Sequence, residues 1–350
     1  MRVALIGNNF CGKTTVFSLL AGIGSSNNSF KKSGVNVAAI DIKDSRVDFL
    51  SKKYNPKKTI YAKIDFVDAN SLDKGNNSAV SSLKADISKY GKIDAFALVV
   101  DNFSQDFSFK KIQEQVNLFE TEMILSDQIT VETRLKNLVE TIKKSGENPA
   151  VKLESLTLQM CLEALNKEDS LSSLILPKAS FSSIKGITLL SQKPLFVIIN
   201  SSEVNFGKLE SEKAKLKQNY IDLAGKFEQE LLDLTPQESL LFREEMGIGK
   251  PAIIRLTSFI YKALGYISFF TVGQDEVRAW TITDGDSAKT AAGKIHSDIK
   301  RGFIRAECFG YNAIESHKSE KVIRAKGQMR LEGKEYIVKD GDIINFRFNI

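Results

Sequence analysis

The stretch Gly7-Asn8-Asn9-Phe10-Cys11-Gly12-Lys13-Thr14-Thr15 restricts this chain more than any other, because it fits the pattern G-x-x-x-x-G-K-[ST]. Its surroundings agree with its letters. Residues 2–6 are a short apolar run of strand character, and 14–21 continue as an amphipathic helix stopped at Gly22. Strand, glycine loop and helix come in the order that wraps backbone N–H groups around a phosphate, at a helix N-terminus whose orphan donors and dipole favour an anion. Asn9, Phe10, Cys11, Gly12, Lys13, Thr14 and Thr15 are the expected phosphate-binding residues, with Lys13 on the β- and γ-oxygens and the Thr14 hydroxyl at a Mg²⁺ position. A glycine turn that merely opens a helix is the plainer alternative, and it leaves the completeness of the motif unexplained.

The neighbouring elements extend this unit. After a polar loop at 24–28, residues 35–42 read as a strand rich in β-branched residues, and Asp44 as the cap of a helix through Val47 and Leu50 that breaks at Asn55-Pro56. Residues 63–67 read as a third strand ending at Asp68, expected to share the Mg²⁺ with Thr14 because strand and loop are sheet neighbours; a plain turn residue is the other reading. A strand at 95–100 ends at Asp101. From Phe109 to Ser145, Ile112, Val116, Phe119, Met123, Leu135, Leu138 and Ile142 recur at helical spacings without Pro or Gly, and more helix is expected over 151–165. Two readings stand for this stretch: an inserted arm that presents a partner surface, or two amphipathic helices folded together for stability alone.

The run Leu195-Phe196-Val197-Ile198-Ile199 resumes the sheet as a strand buried on both faces and ends in Asn200-Ser201-Ser202-Glu203. Nucleotide-binding switch proteins read the base at this place. Guanine-specific ones carry Asn-Lys-x-Asp there, whereas this chain has Ser201 for the lysine and Glu203 for the aspartate. The extra methylene displaces the carboxylate, which argues against a bidentate grip on guanine and makes adenine plausible. Asn200 and Glu203, with a loop of Ala224, Gly225 and Lys226 after a strand at 220–223, form the expected base site. Pro251 and Gly265 bracket a helix over 252–264 that closes the domain. Strands at 269–272, 277–282, 303–308, 335–338 and 343–348, with one helix around 287–300, then make a small α+β domain.

Bulk properties bound the rest. The 350 residues leave room for two or three domains. No apolar run approaches eighteen residues and the first strand already belongs to the fold, so neither a membrane span nor a cleavable signal peptide is expected, and the address is cytoplasmic. Cys11, Cys161 and Cys308 have no C-x-x-C spacing, which argues against a disulfide framework or a zinc site. Cys11 lies at a helix start that favours a thiolate, so its oxidation could block nucleotide binding; alternatively it is a small residue that fits the loop. The net charge is a modest +6, but residues 294–330 hold nine Lys or Arg against Asp298, Glu307, Glu315 and Glu320. Either this is a basic patch for a phosphate backbone or a solvated charged face. The two histidines, His296 and His317, are remote from the phosphate loop, and His296 is read as structural or partner-facing; Trp280 is read as core.

With these residues in place the chain resembles the YchF or Obg-like ATPases along its whole length. The phosphate loop and the Asn200-Ser201-Ser202-Glu203 tetrad fit that family, and its signatures are densest in Glu276-Val277-Arg278-Ala279-Trp280-Thr281, Ile295-His296-Ser297-Asp298, Gly302-Phe303-Ile304-Arg305-Ala306-Glu307 and Tyr336-Ile337-Val338-Lys339-Asp340-Gly341-Asp342. The resemblance implies an α/β phosphate-loop NTPase sheet, an inserted helical coiled-coil arm and a C-terminal α+β TGS domain of β-grasp type. The expected division is 1–103 and 191–266 for the nucleotide domain, 104–190 for the arm and 267–350 for the TGS domain. It also implies ATP in preference to GTP, slow hydrolysis, and association with ribosomes or RNA, with no role for DNA or a membrane.

The chain departs from that family where turnover is organised. Asp68-Ala69-Asn70-Ser71 lacks the glycine of the family's Asp-x-x-Gly, and Gly75 alone remains of the glycine-rich segment expected after it. A gap-free alignment from Asp68 puts Leu98 at the family's candidate catalytic histidine, and the first-switch threonine falls near Lys32-Ser33. Phosphoryl transfer depends on positioning water, metal and charge. Three readings remain open: a slow ATPase, a ribosome- or RNA-binding module that holds nucleotide without turnover, and a guanine-nucleotide switch.

Overall fold

The computed structural model describes residues 1–25, 37–68, 93–104, 108–146, 148–211 and 216–349. One six-stranded sheet contains β1 (Arg2–Gly7), β2 (Val37–Ile42), β4 (Ala62–Asp68), β5 (Ala95–Asn102), β6 (Leu195–Ser201) and β7 (Tyr220–Leu223) in the order β2-β4-β1-β5-β6-β7. The strand β3 (Lys58–Ile60) belongs elsewhere. Parallel pairing joins β1 to both β4 and β5, β5 to β6, and β6 to β7. Near-continuous apolar strands make this possible, since parallel strands are covered on both faces. Ala4, Ile6, Phe96, Leu98, Val197 and Ile199 pack there with Ile112, Val116 and Phe119. The chain places β4 on one side of β1 and then crosses to β5 on the other. Strand order therefore reverses at β1, and open parallel sheets bind ligands beyond the carboxyl end of such a strand.

The helix Phe109–Ser145 runs without a break, and Asn148 caps the next helix, Pro149–Leu165, by accepting the Val151 N–H at 2.9 Å. The two close on a core of Val131, Leu138, Leu158, Cys161 and Leu165 together with Ile184 and Leu189. The foot of the long helix lies in the sheet core and its upper part in this second core. At the junction Asp127 is fully buried and accepts the N–H groups of Leu190 at 2.8 Å and Ser191 at 2.7 Å, and the Ser191 hydroxyl at 2.7 Å.

A second six-stranded sheet has the order β11-β10-β12-β8-β9-β3, with β8 (Tyr266–Val272), β9 (Glu276–Thr283), β10 (Phe303–Gly310), β11 (Arg330–Glu332) and β12 (Asp342–Phe348). Antiparallel pairs β8–β9 and β10–β12 meet where β12 runs parallel to β8, the β-grasp arrangement. Ala288, Ala291 and Ala292 of the helix Ala288–Ile295 pack against Phe269, Ala306 and Phe346. Trp280 is partly buried, stacks on Phe269, and has the Arg278 guanidinium 3.9 Å from its ring centre.

Several elements differ from the sequence expectation. The strand expected at 335–338 is a loop with one bridge, Ser287 to Ile337, because its backbone bonds go to Gly333, Asp286 and Ala288. The helix expected at 287–300 is two helices, broken at the extended His296, whose Nδ1 accepts the Asp298 N–H at 3.2 Å to start the second, Ser297–Arg301. Gly225 and Lys226 open a helix, Gly225–Glu230, that Ala224 precedes, where a loop was expected. The short strands β3 and β11 were not anticipated.

By contacts the chain forms two compact units, Met1–Ala38 with Asp65–Ala252, and Ala39–Ile64 with Ile253–Ile350. Residues 39–64 group with the C-terminal fold because β3 pairs with β9 and Val47 and Leu50 are completely buried.

Asp127→Ala should lower stability by about 3 kcal/mol, since it strands two buried N–H groups and a hydroxyl. Urea unfolding followed by circular dichroism measures this, and Asp127→Asn should recover part of it.

Candidate nucleotide site

The phosphate loop leaves β1 at Gly7 and enters the helix Lys13–Leu20 through Gly12, whose φ of 81° lies in the left-handed region. A Cβ on Gly12 would collide with the Asn200 amide, so backbone conformation and close approach both require glycine there. Phe10 is also left-handed, at φ 66°, a conformation that costs a non-glycine residue about 1 kcal/mol, yet its side chain is 97% exposed. The strain goes into the backbone path of the loop. Asn9 and Thr14 stand exposed, Thr15 is half-buried, and Cys11 and Lys13 are buried.

Asn200 ties this loop to the opposite wall. Its Nδ2 donates to the Cys11 carbonyl at 3.0 Å and its Oδ1 accepts the Gly225 N–H at 3.2 Å, with 2% of the residue exposed. Gly225 has no room for a Cβ against that amide. Ser201, which stands where guanine-specific proteins have lysine, points inward instead. Its hydroxyl accepts from Asn102 at 2.9 Å and donates to Asp222 at 2.6 Å, while Asp222 accepts the Gly207 N–H at 2.9 Å. Asn205 donates to the carbonyls of Asn102 and Ser104. This polar web fixes the corner after β6, from which Glu203 projects exposed.

On the other side of β1, Leu5 is in register with Asp68, the last residue of β4. Lys13 Nζ lies 2.8 Å from Asp68 Oδ1. A buried ammonium needs an anionic partner, and Asp68 supplies it. The geometry is that of a charge contact, because the sealed Oδ1 atom accepts no directed hydrogen bond among the described residues.

The structure thus brings together Cys11, Gly12, Asn200 and Gly225 in one cluster and Lys13 with Asp68 in another. It does not gather Lys226, whose ammonium reaches Glu230 at 3.9 Å along its own helix. Sequence reasoning missed Phe103. This residue comes directly after β5, brings its ring against Gly12 and remains 45% exposed. An aromatic beside the polar strand end Asp101-Asn102 was the available signal.

Comparison with known proteins accounts for this arrangement. The family model of the C-terminal part of YchF GTPases, described as a protein of unknown function, matches residues 266–349. The "Ribosome-binding ATPase YchF" of Bacillus subtilis (strain 168) is 32% identical over 366 residues, covering 100% of both chains. The protein of the same name from Escherichia coli O157:H7 is 32% identical over 363 residues, covering 100% of this chain and 99% of its own. The chain belongs to the YchF family. The solved YchF GTPase of Schizosaccharomyces pombe shares the fold, with a TM-score of 0.79 and 24% identity over 99% of this chain and 97% of the other. Phosphate-loop sheet, helical insertion and C-terminal domain are therefore those of a YchF protein.

Two expectations need correction within this YchF fold. Leu98 is not a switch position. It lies in the middle of β5, paired with Ile6 and Val197 and 4% exposed, because the gap-free alignment runs past the switch into the next strand. Lys32-Ser33, Ala69-Asn70-Ser71 and Gly75 lie outside the described residues. Cys11 is not a thiolate either. Burial pushes its pKa from 9.0 up to about 11, and this outweighs the opposing pull of Lys13 and the backbone N–H groups. The plainer reading, a small residue that fits the loop, is the one the geometry supports.

The folded chain holds the Cys11 proton more tightly than the unfolded one. Its contribution to stability is therefore complete below 9.0 and falls as pH rises from there to about 11. At neutral pH the thiolate fraction is about 100-fold below that of an ordinary thiol. Site-resolved mass spectrometry after iodoacetamide treatment at pH 7.5 should show Cys11 alkylated at least that much more slowly in the native than in the urea-unfolded chain.

Proposed function

We propose that this YchF protein binds ATP with Mg²⁺ through the Gly7–Thr14 loop, hydrolyses it slowly, and acts with ribosomes in the cytoplasm. The observation that carries the nucleotide reading is the Lys13–Asp68 pair at 2.8 Å beneath a loop clamped by Asn200. A γ-phosphate offers Lys13 a stronger anion than one carboxylate, and binding would free Asp68 for a cation.

The oxygens present fit Mg²⁺. Asp68 Oδ1 is a buried oxygen whose one charge contact is Lys13 and which accepts no directed hydrogen bond among the described residues, and Thr14 stands exposed. Among the described residues no cluster of three or more His, Cys, Asp or Glu could cage a metal alone. Magnesium is held in just this way, by one or two protein oxygens completed by phosphates and water. When bound it would neutralise charge between the β- and γ-phosphates, while Lys13 binds those oxygens and the loop N–H groups orient them.

Asn200 uses its amide to join loop and wall, so the base would be read by Gly225 and Ala224 backbone, by the remaining Asn200 donor and by the exposed Glu203. Phe103 supplies an aromatic face beside them. The absence of a lysine at Ser201 and the longer carboxylate of Glu203 favour adenine. The bacterial relatives are called ATPases and the fission-yeast one a GTPase, so direct titration must decide. The ribosome reading rests on the names of the bacterial relatives and on the basic stretch at 294–330. Among the described residues no helix is long and apolar enough to cross a membrane.

A second reading, nucleotide binding without turnover, is favoured by the histidines. His296 is spent on a helix cap, and both histidines, His296 and His317, lie far along the sequence from the phosphate loop.

Titration with ATP and GTP in Mg²⁺ should show tighter binding of ATP, and Lys13→Ala should weaken it about 10- to 100-fold by removing a charge-assisted contact. Unchanged binding by the variant defeats the site assignment. Single-turnover hydrolysis with and without ribosomes separates the two readings: a rate at the uncatalysed level in both leaves only the binding module. Co-sedimentation with ribosomes should weaken as salt rises.

A further inference from the structure

The family model begins at residue 266, yet the C-terminal fold does not. Its sheet is closed at one edge by β3, in parallel register with β9: Lys58 with Glu276, Thr59 with Val277, Ile60 with Arg278. The Lys57 and Lys58 N–H groups donate to the Gln274 and Asp275 carbonyls at 3.0 and 3.1 Å. Ahead of β3, the helix Ser45–Tyr54 buries Val47 and Leu50 completely.

Charged and polar staples hold this segment at both ends. Arg46 donates to Asp44 and, at 2.7 Å, to Asp340, and its guanidinium lies 5.1 Å from the centre of the Phe270 ring. Asp340 also accepts the Ser268 N–H at 2.9 Å. At the far end the Tyr54 hydroxyl donates to Glu320 at 2.6 Å, and burial together with that carboxylate keeps it protonated. Phe49 meets the Tyr311 ring edge-on at 5.6 Å. Residues 44–60 are thus part of the C-terminal fold.

The connection beyond β3 is short. Tyr61 alone separates Ile60 from β4, which runs extended to Asp68. The eight residues from Tyr61 to Asp68 at about 3.3 Å each lie near the limit of chain extension, as a strand does. This run offers little slack to absorb a displacement of β3 before the end of β4, where Asp68 meets Lys13.

We propose that residues 44–60, anchored in the C-terminal fold, position Asp68 through β4, so that metal–nucleotide binding at the phosphate loop and the state of the C-terminal sheet are thermodynamically linked. The metal half of this rests on the Mg²⁺ role given to Asp68 above. Arg46 and Tyr54 are then positioning residues that never touch nucleotide. Linkage also works in reverse: Mg-nucleotide must tighten the β3–β9 edge by the factor with which that edge tightens nucleotide.

Two measurements on the full chain test this. The first is hydrogen exchange without nucleotide in Arg46→Ala and in the milder Tyr54→Phe, which removes only a hydroxyl. Amides of 65–68 should exchange at least about 5-fold faster in Arg46→Ala and less so in Tyr54→Phe, while those of β5 and β6 keep wild-type rates. Unchanged 65–68 in both variants, or acceleration of the whole sheet alike, overturns the proposal. The second is ATP affinity in Mg²⁺ and in EDTA. Arg46→Ala should reduce the Mg²⁺-dependent gain about 5-fold or more and leave affinity in EDTA within twofold of wild type. An equal loss in both conditions, or none, overturns it, because a merely structural staple would not discriminate. If wild type itself fails to bind ATP, the nucleotide reading falls and the exchange measurement alone decides whether 44–60 position Asp68.

Discussion

An ammonium group placed inside a phosphate loop must be neutralised whether or not nucleotide is bound, and this requirement organises the unit around β1. Lys13 is 6% exposed. Leaving its charge unpaired there would be prohibitive, so the sequence that supplies the loop must also supply an acid at the right height on a neighbouring strand. The parallel register of β1 with β4 does this by setting Asp68 beside Leu5, two residues before the loop begins. Asp68 Oδ1, 2.8 Å from Nζ, is the counter-charge that the buried ammonium requires.

The second requirement is that the loop keep its shape although Phe10 and Gly12 both sit at positive φ. Asn200 meets it with a single amide, which donates to one side and accepts from the other, so the clamp is lost entirely if either half fails. This also changes what the Asn200-Ser201-Ser202-Glu203 tetrad means. The first two residues are occupied in building the site, Asn200 with loop and wall, Ser201 with Asp222 and Asn102. Only Glu203 is left facing solvent. At the proposed base site this leaves one carboxylate, backbone and the face of Phe103, a weaker basis for rejecting the wrong purine than a buried bidentate grip.

Local chemistry made most of the fold legible in the sequence. The phosphate loop, Asp44 capping by accepting the Arg46 N–H, the stop at the left-handed Asn55, and the unbroken helix from Phe109 each arise from residue types a few positions apart. Failures came where distant partners decide. β3 is three residues, Lys58-Thr59-Ile60, with no apolar alternation of its own, and exists because β9 offers it an edge. Residues 335–338 have strand-like letters but spend their hydrogen bonds on loops. In the site, Lys13, Gly12 and Asp68 were readable from the motif and its strand, whereas the protonated state of Cys11 was not, since burial by residues far along the chain overrides the pull of the local helix start. Phe103 had a local cue, an aromatic beside the polar strand end Asp101-Asn102, but only the fold brings its ring to Gly12.

The altered residues divide along a physical line. The residues proposed to hold phosphate are all present: loop, lysine, hydroxyl, acid and clamp. The departures are at the level of sequence, Ser71 in place of a glycine and the two histidines far along the chain from the loop, and phosphoryl transfer depends on placing water and charge. Static donors raise affinity for ground and transition states alike and so do not by themselves accelerate the chemical step. On the proposed reading such a chain would hold nucleotide more readily than it would turn it over. That is useful only if something else in the molecule responds to occupancy, and the extended run from Asp68 back through β4 to β3 is the stretch of backbone that leads directly from the phosphate site into a different fold.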